Sequence, residues 1–171
     1  ELDLDMLTVL PSTILGGEFK PRTESLDAFS AIVHGKMPFL YELNLSPIDV
    51  NDVVKGMISA AKLGLRGKRY VLANTTTISS EQIIDIAREI NPALVAPKIL
   101  SEPEIYALGD QAEAEALSTN TRPKLIRSNV ARSLKHKFIF DQKDSLEHLN
   151  HAPISARTVV RETMQSLYQG Q

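Results

Sequence analysis

The sequence predicts an α/β fold, and three observations carry that prediction. Short β-prone runs alternate with helical stretches that show an apolar face every three or four residues. Several of those helices carry capping residues at their starts and a glycine or proline at their ends. The first run, Leu4 to Leu10, is nearly continuous in apolar character, as suits a strand covered on both faces. Such a strand needs neighbours, and this one starts almost at the first residue. The expectation is that members of its sheet lie before Glu1 and that the chain is the later part of something longer.

Composition agrees with one globular unit. The 171 residues are 43% hydrophobic and 23% charged, which excludes long disorder, collagen and coiled-coil arrays. A net charge of -2 provides no overall field for nucleic acid or an anionic membrane, so neither is expected as a partner. The chain has no cysteine, which excludes disulfides, thiolate metal sites and thiol catalysis. No apolar run approaches the roughly 18 to 20 residues of a membrane span, and the start lacks a basic signal region. A cytoplasmic location is the expectation.

Taken in order, Pro11 stops the first strand and Gly16-Gly17 open a polar loop to Arg22. A helix is predicted over 25–34, closed by Gly35 in the left-handed position with Pro38 beyond. Phe39 to Leu45 reads as one short strand. Asp49 caps the next helix, Ile48 and Val53 occupy staple positions, and Val53, Val54, Met57, Ile58 and Ala61 form its apolar stripe up to Gly64. Arg69 to Ala73 is a second β-prone run. Ser79-Ser80-Glu81-Gln82 then forms a capping box stapled by Ile78 and Ile83, and the helix that follows ends at Asn91-Pro92. An acidic helix with a thin apolar face is predicted over 102–117, and Lys137 to Phe140 reads as a strand. Asp141 caps a helix to Leu149, and Ser155 starts the last one between Ile154 and Val159.

Catalytic chemistry is sparse. The four histidines, at 34, 136, 148 and 151, have no metal-binding spacing and read as solvated, so no metal is expected. No glycine-rich phosphate loop occurs. Asp49 and Asp52 could form an acid/base pair, but capping and dipole complementation account for both more simply. Arg122, Lys124, Arg127, Arg132, Lys135 and Lys137 form a basic stretch without an acid. It reads either as a phosphate or nucleic-acid patch or, more simply, as a solvated helix face offsetting the acidic helix before it.

Several segments fall in a familiar order: strand-Pro11-Ser12-x-x-Leu15-Gly16, helix-Gly35-Lys36-x-Pro38, Ile48-Asp49-Val50-x-Asp52-Val53, Arg69-Tyr70-Val71-Leu72, Thr77-Ile78-Ser79 and Phe140-Asp141-x-Lys143. Together they resemble the C-terminal part of the extended short-chain dehydrogenase/reductases. The nearest branch is the dihydroflavonol 4-reductase-like one of the NAD-dependent epimerase/dehydratase family. The resemblance covers nearly the whole chain, including a closing stretch from Phe140-Asp141 to Leu149-Asn150-His151-Ala-Pro153. Asn150 replaces the family's usual glycine, a tolerable change because Asn also enters the left-handed conformation. His151 stands where an aromatic ring is usual, and the stretch from Glu102 to Ser118 is more polar than the long apolar helix expected there.

The resemblance implies the C-terminal portion of an extended Rossmann-type reductase, with its dinucleotide-binding half absent from this chain. It implies one substrate-side region over 1–171, in which strands 4–10 and 69–73 belong to the Rossmann sheet and 97–137 is a variable helical part. No Tyr here has a Lys four residues later, so no catalytic residue is assigned within the chain. The resemblance further implies that Pro11, Ser12 and Ser25 border an NAD or NADP cofactor, and that Gly16, Phe19 and Tyr41 wall a pocket for a small carbonyl substrate. The plainer readings are a strand terminator and turn residue for Pro11 and Ser12, a helix-start serine for Ser25, and core packing for Phe19 and Tyr41. A homodimer would pair through the absent half. By this reading the chain is the specificity portion of a carbonyl-reducing oxidoreductase, inactive alone. Its alternatives are a sugar-nucleotide epimerase or dehydratase, a non-catalytic nucleotide sensor on the same scaffold, and, last, a nucleic-acid module.

Overall fold

The computed structural model describes residues 4–16, 23–123, 125–135 and 138–169 and is an α/β structure. Its first feature is a strand that changes partner. β1 (Thr8–Pro11) runs parallel to β6 (Arg69–Leu72), and past Ser12 the chain continues as β2 (Thr13–Leu15), parallel to β5 (Pro47–Asp49). The prediction of one strand over 4–10 is corrected in two ways. Pairing starts only at Thr8, and Pro11 is the last residue of β1 with Leu72 as its partner. Within this chain Leu7 and Val9 pack inward, while Leu4, Met6 and Leu10 are 57%, 56% and 43% exposed.

Helix α1 (Glu24–Val33) follows, with His34 as its last cap and Gly35 left-handed at φ +67°. The strand predicted over 39–45 divides into β3 (Phe39–Tyr41) and β4 (Asn44–Leu45) because the two halves serve different partners. β3 runs parallel to β8 (Lys98–Leu100), and β4 antiparallel to β7 (Ile78–Ser79). Sequence reading missed β2, β5, β7 and β8, each only two or three residues long and too short to show a periodicity.

Helix α2 (Val50–Leu63) starts at the Asp49 cap as predicted, but its stripe is turned. Asp52, Val53, Gly56 and Ala60 face inward, whereas Val54, Met57 and Ile58 are about half exposed. The phase is set by close packing: a Cβ at Gly56 would stand 2.7 Å from Leu72 Cδ1, so any other residue would force the buried Leu72 side chain to shift for the helix to settle on β6. Gly64 ends α2 for a similar reason, since a Cβ there would meet Leu7 Cδ2 at 2.3 Å and the Ala60 carbonyl oxygen at 2.4 Å.

α3 (Ser80–Ile90) has the predicted capping box, with Ser79 N–H donating to Gln82 Oε1 at 2.9 Å. α4 (Glu102–Thr119) and α5 (Arg127–Lys135), the latter within the stretch expected to be helical but without predicted bounds, form a helical hairpin. The strand predicted over 137–140 is not present at Phe138 to Phe140, which are irregular, and Lys137 lies outside the described residues. α6 (Lys143–His148) is shorter than expected, although Asp141 does accept the Lys143 N–H at 3.1 Å. Asn150 is left-handed at φ +51°, as its replacement of glycine requires. α7 (Ala156–Gln169) closes the chain.

The core has three separate parts. In the largest, Leu26, Phe29 and Val33 of α1 meet Ile83 and Ile86 of α3 and Val159, Val160 and Met164 of α7, over Leu15 and Ile78. The second places Ile48, Val53, Tyr70, Leu72 and Leu149 around β1 and β6. The third, Leu100, Ile105 and Val130, lies inside the hairpin against Phe39 and Tyr41.

Candidate functional site

The junction of β1 and β2 at Ser12 adjoins a buried polar network whose hub is Asn74. Its amide donates to the carbonyls of Pro47 at 3.0 Å and Ile154 at 2.6 Å, and its Oδ1 accepts from Thr76 N–H and Oγ1 at 3.1 and 3.0 Å. Thr76 Oγ1 in turn accepts the first N–H of α7, from Ala156, at 3.0 Å. Ser46 joins the hub through Asn74 N–H and C=O. Every donor here is spent inside the fold, so the network fixes where β2, β5, β6 and α7 meet.

Ser12 belongs to this junction. Its hydroxyl donates to Ser46 C=O at 2.7 Å and its N–H to Leu72 C=O at 2.9 Å, which leaves only hydroxyl lone pairs for a ligand. Pro11 beside it is exposed and has no N–H to satisfy. Gly16 is buried, and a Cβ there would stand 2.6 Å from Val50 Cγ1, so its lack of a side chain serves the approach of α2. Phe19 lies outside the described residues. Ser25 is the second residue of α1 rather than its start: Thr23 is the cap, accepting Leu26 N–H at 3.2 Å. Glu24 and Asp27 in the same turn oppose an anion there, despite the favourable end of the helix dipole.

Tyr41 is half-buried at the end of β3, held by its carbonyl, which accepts Ser80 Oγ at 2.6 Å. It lines a cavity of 430 Å³ between α1 and the hairpin, together with Glu24, Arg122, Pro123, Leu125, Ile126, Asn129 and Val130. That volume suits a small molecule. Of the predicted site residues, Tyr41 reaches this cavity and Ser25 adjoins it through Glu24; Pro11, Ser12 and Gly16 do not line it. Arg122, Asn129 and Glu24 were not predicted as pocket residues. Only the basic stretch drew attention to Arg122, because convergence of α1 with a loop about a hundred residues later leaves no periodic trace.

Elsewhere the charged groups do structural work. Asp49 accepts Asn51 N–H at 2.8 Å, and the buried Asp52 accepts from Lys55 at 3.2 Å and from Ile154 N–H at 2.9 Å, so the two are not free as an acid/base pair. Arg127 pairs with Asp110, lies 4.6 Å above the Tyr106 ring and donates its N–H to Glu113 at 2.8 Å, which ties the basic α5 to the acidic α4. Lys98 and Ser101 hold the Glu104 carboxyl down at about 2. His151 corrects the expectation of solvated histidines: it is buried, its Nε2 finds no protein partner among the described residues, and burial lowers its pKa. His148 Nδ1 is 3.2 Å from the buried Tyr70 hydroxyl. His136 lies outside the described residues. No cluster of three or more metal-ligating side chains occurs among the described residues, and no described helix is long and apolar enough to cross a membrane.

No family model and no curated protein matches the sequence. Solved structures do match its fold. The crystal structure of gox2253 superposes with a TM-score of 0.73 at 23% identity, covering 96% of this chain and 49% of that one. A nucleoside-diphosphate-sugar epimerase from Pseudomonas aeruginosa gives 0.65 at 19% identity, with 98% and 49% covered. A UDP-glucuronic acid 4-epimerase from Bacillus cereus, solved with UDP-glucuronic acid and NAD, gives 0.65 at 12% identity, with 98% and 46% covered. The chain spans about half the length of the structures it matches, and at these identities what it shares with them, sugar-nucleotide epimerases among them, is the α/β fold.

Proposed function

We propose that the chain is the substrate-side, C-terminal region of an NAD(P)-dependent oxidoreductase of the extended short-chain type. The observation that carries this reading is the fold match over 96% of the chain to about half of a longer protein, together with a 430 Å³ cavity at the end of β3. Open α/β sheets bind ligands at the carboxyl ends of their strands, where Pro11 and Ser12 lie. The whole of 1–171 is one region in this reading, with 97–137 as its variable part.

The residues present fit one wall of a nicotinamide better than they fit a pyrophosphate. Pro11 presents an apolar ring and Ser12 a hydroxyl that can still accept a hydrogen bond, whereas Ser25 shares its turn with two carboxylates. When bound, the cofactor supplies or accepts a hydride. This chain's own part is to shape and dry the substrate pocket through Tyr41, Leu125, Ile126 and Val130. The catalytic acid/base lies outside the chain, the setting is cytoplasmic, and any homodimer pairs through that other half.

We favour carbonyl reduction of the dihydroflavonol 4-reductase-like kind. Sugar-nucleotide epimerisation is the second reading, favoured by the similar structures, epimerases among them, and by a guanidinium, Arg122, in the cavity. The test is an assay of the full-length protein with NADPH or NADH against a panel of ketones and aldehydes, and against UDP-sugars with NAD. Net cofactor oxidation supports the first reading, and sugar interconversion without net oxidation supports the second. The 171-residue chain alone is expected to show neither.

A further inference from the structure

β3 serves two units at once. Its side chains alternate: Leu40 packs on the core shared by α1, α3 and α7, while Phe39 and Tyr41 pack on the hairpin cluster of Leu100, Ile105 and Val130. The ribbon of β3 and β8 pairs with no further strand among the described residues, and there the hydrogen bonds and ion pairs of α4 and α5 run within the hairpin or to β8. The hydrogen bonds that tie this unit to the body lie at the two ends of β3. Before it, the connections from α1 to β3 and from α3 to β8 run side by side: Asn91 Nδ2 donates to the Val33 carbonyl at 2.9 Å, and a Cβ on the left-handed Gly35 would touch Leu94 Cδ1 at 3.4 Å. After it, Ser80 Oγ donates to the Tyr41 carbonyl at 2.6 Å and accepts the Leu43 N–H at 3.2 Å, while Ser80 N–H donates to the Leu43 carbonyl at 3.2 Å.

A strand anchored at both ends, with one apolar side toward each neighbour, has the layout of an axle. We propose that β3, β8, α4 and α5 rock as one unit about that line, so that the hairpin swings toward and away from the first turn of α1 and narrows or opens the 430 Å³ cavity between them. Glu24, at the opposite end of α1 from the Val33 anchor, is the wall that the hairpin approaches. The motion needs backbone rotation only near Gly35 and Asn91 at one end of the axle and near Glu42 and Leu43 at the other, and it leaves the two apolar clusters assembled. Closure of this kind excludes water from what the cavity holds. It concerns how the cavity opens and is independent of which reaction the full-length protein performs.

The experiment is a distance measurement by double electron–electron resonance on the 171-residue chain, in which the lack of cysteine lets spin labels be placed singly. Asp27→Cys with Ser128→Cys, both exposed, spans α1 and α5; Asp27→Cys with Gln165→Cys, on α1 and α7, is the control within the body. The α1–α5 pair is expected to give a wider distribution than the control, with part of it shifted to distances shorter than in the structure. Ser80→Ala and Asn91→Ala each remove side-chain bonds at one end of the axle and are expected to widen the α1–α5 distribution further while the α1–α7 distribution stays as it was. An α1–α5 distribution as narrow as the control, or equal widening of both pairs in the variants, would overturn the inference. Should either variant fail to fold, the comparison of the two pairs in the otherwise native chain still decides. Failure here leaves the oxidoreductase reading to the separate turnover assay, because no step of this measurement uses cofactor or substrate.

Discussion

The three-helix body and the α4–α5 hairpin are built from similar residue types yet held by different forces. In the body, α1, α3 and α7 present wide apolar faces to one shared core, and the Asn74 network locks their strands from beneath. At the hairpin the buried apolar cluster is three side chains, one of them from β8, while Arg127, Asp110 and Glu113 join the two helices at their rims and Lys98 and Glu104 join β8 to the start of α4. Exposed pairs of that kind contribute about 0 to 1 kcal/mol each, whereas a buried aliphatic side chain contributes about 1.5 to 3. The difference teaches that the part of the chain facing the cavity is also the part most cheaply reshaped.

The largest test of this contrast removes apolar volume from each region. Ile86→Ala in α3 is expected to cost about 2 to 5 kcal/mol in urea unfolding, because Ile86 is fully buried among three helices. Ile105→Ala makes the same deletion in the hairpin and is expected to act locally. Hydrogen exchange should quicken over 102–135 while α1, α3 and α7 keep their protection. An equal collapse of both regions would break the comparison.

Asn74→Ala probes the polar lock. It strands the carbonyls of Pro47 and Ile154, so a loss of about 2 to 3 kcal/mol is expected, and Asn74→Asp, which keeps the acceptor, should restore the Thr76 contacts but not those carbonyls. Arg127→Ala in the hairpin should cost only about 0.5 to 1 kcal/mol, since its guanidinium is exposed, although it gives up a ring contact as well as an ion pair. A loss as large as that of Asn74→Ala would show the hairpin to be locked as firmly as the body.

The smallest effect is a pH trend in the body. Burial holds the His151 pKa below its ordinary 6.5, outweighing the Ala73 carbonyl and the Asp52 carboxylate, which favour the charged ring. The unfolded chain therefore binds a proton that the folded chain resists, and stability should decline as pH falls below about 6.5. His151→Phe should flatten that slope between pH 7 and 5 in urea titrations. A wild-type stability that rises over the same interval would contradict the burial of a neutral ring.

The helices with strong chemistry at their ends were legible from residue order. Ser79 with Gln82, Asp49 with its staple, and the glycine after α1 each act within four residues, so the local sequence contains the whole interaction. The short strands were not, because β2, β5 and β8 exist only through partners 34 or more residues away. α5 was legible only as a helical stretch of basic residues, and its bounds come from its packing on α4. The outward turn of Val54, Met57 and Ile58 was equally hidden, since composition places them on a stripe and only the fit of Gly56 on Leu72 sets its phase.

By itself, then, the sequence determined the α/β class, the order and most boundaries of the helices, and the left-handed turns at Gly35 and Asn150, all of which are short-range in their physics. Tertiary structure alone decided that β1 and β2 change partner at Ser12, that Asn74 ties Pro47 of β5 to Ile154 before α7, and that Glu24, Tyr41 and Arg122 share one cavity. Those facts depend on which distant surfaces meet, and close packing, rather than any local preference, selects that meeting.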